Sequence, residues 1–299
     1  MAEKDRHRRV QEHCGDGRLN TLNLPLARMP IGVFDSGVGG LSVLGALRAE
    51  LPEEHFLYVG DSGHAPYGER DDAHVIARSH AIADHLVAQH HIKALVVACN
   101  TATAAAIRQL RSAYPALPII GIEPALKPAV VASKTGLIGV MATRGTLSSE
   151  KFRVLLASLQ GQARFICQPC DGLADAIEQF DAIKIEALCA HYTGAMGQFG
   201  LNSGEIDTLV LGCTHYAFAS GVLRQLVGKE LSLLEGGAPV ARQTRRLLAQ
   251  AGLLLDPTQT HARTDAPLTL LSTGSAPMLQ SAAKRWLGLR LDVQAVNIG

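Results

Sequence analysis

The 299-residue chain carries 28 Lys and Arg against 27 Asp and Glu, for a formal net charge of +1, with 47% hydrophobic and 18% charged residues. That balance suits a folded globular protein with room for two ordinary domains, and it lacks the basic excess of a nucleic-acid footprint. No apolar run approaches the roughly 20 residues of a membrane-spanning helix; the longest candidate, around Leu117–Val131, is broken by Pro118, Glu123, Pro124, Lys127 and Pro128.

Residues 1–29 are polar and basic and lack the hydrophobic centre of a secretory signal, so a flexible extension with an idle Cys14 is expected there. Six cysteines over this length do not suggest a disulfide framework, which makes a reducing cytoplasm the expected compartment.

Ile31–Phe34 reads as a short strand, Asp35–Gly40 as a turn and Leu41–Glu50 as a helix. Gly37, Gly39 and Gly40 let the backbone approach a ligand closely, and the helix start offers free N–H groups to an anion. Their spacing is not that of the dinucleotide fingerprint G-x-G-x-x-G, so a non-catalytic nucleotide-binding module stands only as a rival reading. Phe56–Val59 repeats the pattern as a strand closed by Gly60–Gly68. A helix over Asp71–His90 follows, bearing His74, His80, His85 and His90, with His91 just beyond. Those histidine spacings fit metal ligation poorly; a solvated helix face is expected and no metal is implied.

Ala94–Ala98 is a strand that stops at Cys99, followed by an alanine-rich helix over Thr101–Ser112. Strand Ile119–Ile122 leads to a helix ending near Ser133, and strand Leu137–Met141 to the polar turn Ala142–Thr146. Arg164–Cys167 is a further strand. The lone Cys167-x-x-Cys170 lacks both a second ligand pair for zinc and a thioredoxin context, so its thiols read as structural. Asp171–Gln179 is a turn and helix carrying Glu178, and Asp181–Met196 is another helix. Strand Thr208–Leu211 runs to Cys213, with a helix from Tyr216. Leu231–Leu234, Val240–Ala251, Leu268–Leu271 and Ala276–Trp286 add two more strand–helix units. This alternation argues an α/β fold with parallel sheets flanked by helices, in two halves between which the chain crosses near the two cysteines.

The two cysteines share a setting: each ends a short aliphatic run and is followed by Thr within two residues. Open α/β sheets place ligands at such carboxyl ends. A thiol is mostly protonated at neutral pH, and lowering its pKa by about 1.5 units takes on the order of 2 kcal/mol, which nearby acids, a histidine and free N–H groups can arrange. One thiolate and one thiol facing a carbon from opposite sides make a matched base and acid. Inversion of a stereocentre, with an equilibrium constant of one in achiral water, needs that symmetry. A cysteine at a strand end is also an ordinary small hydrophobe, and spacing alone leaves the two readings open.

The segments Ile31–Leu41 (IGVFDSGVGGL), Asp61–Gly68 (ending APYG), Ala98–Thr103 (ACNTAT), Gly121–Pro128 (GIEPALKP), Gly139–Thr146 (GVMATRGT) and Leu211–Tyr216 (LGCTHY) together resemble glutamate racemase, in the family's order from about Pro30 onward. The resemblance implies a cofactor-independent isomerase that interconverts L- and D-glutamate for peptidoglycan, cell-wall biogenesis and cell shape. It also implies two pseudosymmetric α/β domains with the site in the cleft between them. The expected division is an extension over 1–29, a first domain over 30–98 plus 214–299, and a second over 99–213. By resemblance, Cys99 is the base toward D-glutamate and Cys213 the base toward L-glutamate, assisted by Asp35, His215 and Glu178. Asp35, Ser36, Tyr67, Gly68, Asn100, Thr101, Thr143, Thr214 and His215 match substrate-binding positions. The implied partner is the small-molecule substrate, with no nucleic acid or membrane, in a homodimer. Racemisation of another amino acid such as aspartate is the close alternative; His215–Tyr216 after the second cysteine favours glutamate.

Overall fold

The structure, a computed structural model, describes residues 26–255 and 267–299. The expected extension, Cys14 included, therefore lies almost wholly outside the described residues. The chain proceeds through β1 (Ile31–Asp35), α1 (Leu41–Glu50), β2 (Phe56–Gly60), α2 (Asp72–His90), β3 (Ala94–Val97), α3 (Asn100–Ala113), β4 (Ile119–Gly121) and α4 (Leu126–Ala132). It continues with β5 (Leu137–Ala142), α5 (Arg144–Ser148), α6 (Glu150–Ala157), β6 (Arg164–Pro169), α7 (Leu173–Glu178), α8 (Ala182–Met196) and β7 (Thr208–Leu211). A 3-10 turn over Thr214–Ala219 precedes α9 (Ser220–Val227), β8 (Ser232–Leu234), α10 (Gly237–Gln250), β9 (Leu268–Ser272), α11 (Ala276–Leu287) and β10 (Val293–Ala295).

The strands form two sheets, one of six strands in the order β10-β9-β2-β1-β3-β4 and one of four in the order β6-β5-β7-β8. Every pairing is parallel. Continuous aliphatic runs form the central strands because helices cover both faces, so that both sets of alternating side chains are buried. In β3, Ala94 and Val96 join one core cluster with Ile31, Val33 and Leu44, while Leu95 and Val97 join the opposite one with Phe34, Ile82 and Leu86. The second sheet has its own two clusters, one around Leu209, Leu211 and Ile177 and one around Ile138, Val140 and Val210.

Sheet membership departs from the expected division at 98/99 and 213/214. β4, which follows Cys99, pairs with β3 through Leu95 and Ile119 and packs Ile120 into the first core; β8, which follows Cys213, pairs with β7 through Thr208 and Ser232. Each cysteine is followed by a strand–helix–strand crossover to the neighbouring strand of the same sheet, and the chain changes sheets only afterwards. The edge strand β10 has no counterpart in the sequence reading. Its residues Val293–Gln294–Ala295 are half-buried to exposed and carry no apolar run. Among the described residues no helix is long and apolar enough to cross a membrane.

Candidate active site

Both cysteines stand between the end of a central strand and the start of a helical segment. Cys99 is the N-cap of α3, and its Sγ accepts from Ala102 N–H at 3.4 Å. The sulfur also meets Ser36 Oγ at 3.8 Å, and the residue is 5% exposed. Burial, reinforced by the Asp35 carboxylate and opposed by the Ala102 and Ser36 contacts, pushes the Cys99 thiol up to about 12. A thiol held up in this way keeps its proton at neutral pH.

Cys213 caps the 3-10 turn and sits against a relay from its own half of the molecule. Its Sγ lies 3.7 Å from His215 Nδ1, and His215 Nε2 lies 3.1 Å from Glu178 Oε2. Burial alone would lower the His215 ring, but the contacts with Cys213 and Glu178 outweigh it and hold the imidazole well above its ordinary value. A protonated ring gives a negative sulfur its counter-ion. Glu178 ends α7, a six-residue helix that presents it inward with Leu173 and Ile177 anchored in the core.

The glycine turn after β1 closes over this relay from the other half. Val38 N–H is shared between the two Glu178 oxygens, at 3.1 and 3.0 Å. A Cβ on Gly37 would fall 1.9 Å from Glu178 Oε1, and one on Gly39 would fall 2.4 Å from His215 Nδ1. Asp35 accepts from Gly37 N–H at 3.0 Å and from Thr214 Oγ at 3.1 Å, bridging the two halves. Burial, opposed by His215 and the Gly37 N–H, holds the Asp35 carboxyl above its ordinary range. These contacts overturn the nucleotide reading of the turn: its glycines make room for protein side chains, and two of its N–H groups are occupied by protein carboxylates.

A single cleft of about 180 Å³ is lined by Cys99 and Cys213 together. Ser36, Tyr67, Gly68, Asn100, Thr101, Thr143, Glu178, Thr214 and His215 line it too, so every expected site residue faces it except Asp35. Asp35 is fully buried beneath Ser36 and Thr214, with both carboxylate oxygens held by protein donors, and does not line the cleft. Thr101 and Thr143 hydroxyls meet at 3.1 Å, and the buried Asn100 Oδ1 is unpartnered. Among the described lining residues none is Lys or Arg. The cationic or donor groups the cleft offers an anion are hydroxyls, the His215 ring and the N-terminus of α3, while Glu69, Asp171, Asp175 and Glu178 put carboxylates on the same lining.

Several lining residues were not anticipated. Ser275 and Met278 enter from the start of α11, after a polar turn at the end of β9 that repeats the pattern at the other strand ends. Cys170 also lines the cleft, with Sγ donating to Gln168 O at 3.3 Å, while both thiols of the Cys167-x-x-Cys170 pair are free. The histidines of α2 are not all on a solvated face: Nε2 of both His74 and His85 is buried, and burial lowers the His85 and His90 rings. Among the described residues no cluster fit to hold a metal ion occurs.

Residues 40–263 match the model of the Asp/Glu/Hydantoin racemase family. The chain belongs to that family. It is an isomerase, an amino-acid racemase. It is 51% identical over 228 residues to the glutamate racemase of Ectopseudomonas mendocina (strain ymp), covering 76% of this chain and 85% of that one. The glutamate racemase of Ralstonia pickettii (strain 12J) is 45% identical over 276 residues, covering 91% and 93%. Among solved structures, glutamate racemase isoform RacE1 from Bacillus anthracis superposes with a TM-score of 0.78 at 32% identity, covering 91% of this racemase and 98% of that chain. The two-domain α/β arrangement with its interdomain cleft is therefore the family's fold.

Proposed function

We propose that this racemase interconverts L- and D-glutamate without a cofactor, with Cys213 removing the Cα proton of L-glutamate and Cys99 that of D-glutamate. The observation that carries the reading is that the two thiols line one small cleft while coming from the strand ends of two different sheets. Two proton carriers on opposite walls are what inversion at Cα requires.

In the direction from L to D, a Cys213 thiolate facing the His215 imidazolium takes the proton as the Cα–H bond breaks. The thiol of Cys99 delivers its own proton to the other face. In the reverse direction Cys99 must first be a thiolate. The substrate ammonium, a positive charge brought into a cleft without Lys or Arg, acts against the burial and the Asp35 carboxylate that favour the thiol. The substrate carboxylates are held by Ser36, the Tyr67–Gly68 backbone, Asn100–Thr101, Thr143 and Thr214–His215. Aspartate is the smaller rival; the 45–51% identities to glutamate racemases support glutamate.

D-glutamate made this way would supply peptidoglycan synthesis. A thiol that carries protons has to stay reduced, which fits the cytoplasm. A homodimer is the assembly we assign by resemblance to the family. The deciding experiment incubates the protein with L-glutamate, D-glutamate and each aspartate enantiomer in D₂O and follows loss of the Cα proton by NMR. Exchange and loss of optical rotation with glutamate are expected; exchange with aspartate alone would overturn the substrate, and exchange with neither would overturn the reading.

A further inference from the structure

Asp61, at the end of β2, is fully buried and has no part in the chemistry above. Tyr67 OH donates to its Oδ2 at 2.5 Å, and Thr273 Oγ donates to its Oδ1 at 2.7 Å. Arg78 of α2, 6% exposed, sends Nε to Oδ2 at 3.1 Å and Nη2 to Oδ1 at 3.0 Å, a two-pronged pairing. His64 Nδ1 lies 3.1 Å from Oδ1. Arg78 directs its remaining Nη1 to the carbonyls of Ile298, at 2.8 Å, and Gly299. Burial would raise the Asp61 carboxyl, but the hydrogen bonds from Arg78, Tyr67 and Thr273 outweigh it and hold it below the usual carboxylate range.

These partners converge on one wall of the cleft. The loop after β2 contributes Ser62, Ala65, Pro66, Tyr67 and Gly68 to the lining, whereas Asp61 and Arg78 do not touch the cleft at all. Tyr67 is 1% exposed and its hydroxyl is committed to Asp61, so the ring cannot turn without breaking that bond. The next residue, Gly68, meets the opposite half of the molecule: a Cβ there would lie 2.9 Å from Thr143 Cβ. Displacing Tyr67 therefore changes the spacing between Gly68 and Thr143 across the substrate volume.

We propose that the buried Asp61–Arg78 pair is a positioning device that holds the Tyr67–Gly68 wall at the spacing the glutamate carboxylates need, without entering the proton transfers. This rests on the glutamate racemase reading of the cleft. A buried ion pair that merely stapled the fold would change stability and leave substrate affinity alone. A positioning pair moves KM, because neither residue lines the cleft and both act on it through Tyr67.

The test compares wild type, Tyr67→Phe, Arg78→Lys and the double variant by steady-state racemisation of both enantiomers, with thermal melting alongside. Tyr67→Phe removes the hydroxyl and leaves Asp61 its other donors; Arg78→Lys keeps the charge and loses the fork. Each single variant is expected to raise KM about tenfold for both L- and D-glutamate with kcat within about twofold of wild type. The double variant is expected to sit near the worse single variant, because both act through Asp61. KM unchanged in folded Tyr67→Phe, or a fall in kcat alone, would overturn the proposal whatever the melting temperature does. Should Arg78→Lys not fold, Tyr67→Phe decides. Wild-type protein that fails to turn over glutamate would overturn the underlying reading and this proposal with it; active wild type with unchanged variant KM overturns only the positioning role.

Discussion

Gly39 faces His215 so closely that a Cβ on it would lie 2.4 Å from Nδ1, the ring nitrogen that meets Cys213. The ring is held at its other end by Glu178, so it has nowhere to retreat. Gly39→Ala is therefore expected to lower kcat by about 100-fold through misplacement of the relay. Racemisation assays and far-UV circular dichroism would check this, the latter expected to show the native fold.

On the proposed two-thiol mechanism, removing one thiol leaves the other to serve only its own face of Cα. Cys99→Ala is expected to exchange the Cα proton of L-glutamate alone in D₂O, and Cys213→Ala that of D-glutamate alone. Neither should racemise. NMR exchange on each enantiomer separately distinguishes this handed behaviour from a mechanism in which one group serves both faces.

The charge on His215 depends on Glu178, and the groups around the ring are Cys213, Glu178 and Asp35. Glu178→Gln removes the carboxylate that favours the imidazolium, so the ring loses its proton at lower pH. The alkaline limb of the kcat/KM profile is expected to move toward lower pH. The stability sign agrees: His215 is held above its free value of 6.5, so its contribution is full below that pH and is lost as the pH rises through the folded value. A pH profile whose alkaline limb stays in place in this variant would remove His215 from its role.

Asp207 shows the opposite sign. It accepts from Ser133 Oγ at 2.6 Å and from Thr135 N–H at 2.9 Å, tying the start of β7 to the segment that enters β5. Burial would raise its carboxyl, but these bonds hold it below 3.8, so its contribution is present above that pH and lost as the pH falls. Asp207→Ala is expected to cost about 1–3 kcal/mol at neutral pH, with less difference from wild type under acid. Urea titrations at pH 7 and pH 3 measure both.

Both cleft cysteines and the helical starts behind them were legible in the sequence because each cysteine closes an aliphatic run and precedes small polar residues, a local pattern. Glu178 and the Tyr67–Gly68 pair could be placed by resemblance. What the sequence concealed was relational. Asp35 sits at the tip of a turn in the sequence, yet Gly37 N–H and Thr214 draw its carboxylate under the cleft. The Asp61 hub gathers residues 64, 67, 78 and 273, which no short-range pattern connects. The crossover points were misplaced because the motifs cluster at the cysteines whereas sheet pairing continues for one strand beyond each.

Val38 N–H, from the half built on the six-stranded sheet, reaches Glu178 in the other half, and that bond ties the order of events to the fit of the two halves. Any excursion that widens the cleft enough to exchange ligand pulls the amide away from the carboxylate and loosens the relay behind Cys213. In the proposed two-thiol mechanism, admission of substrate and readiness of that thiol are alternating conditions, and the chemical clock starts only when the two halves have met.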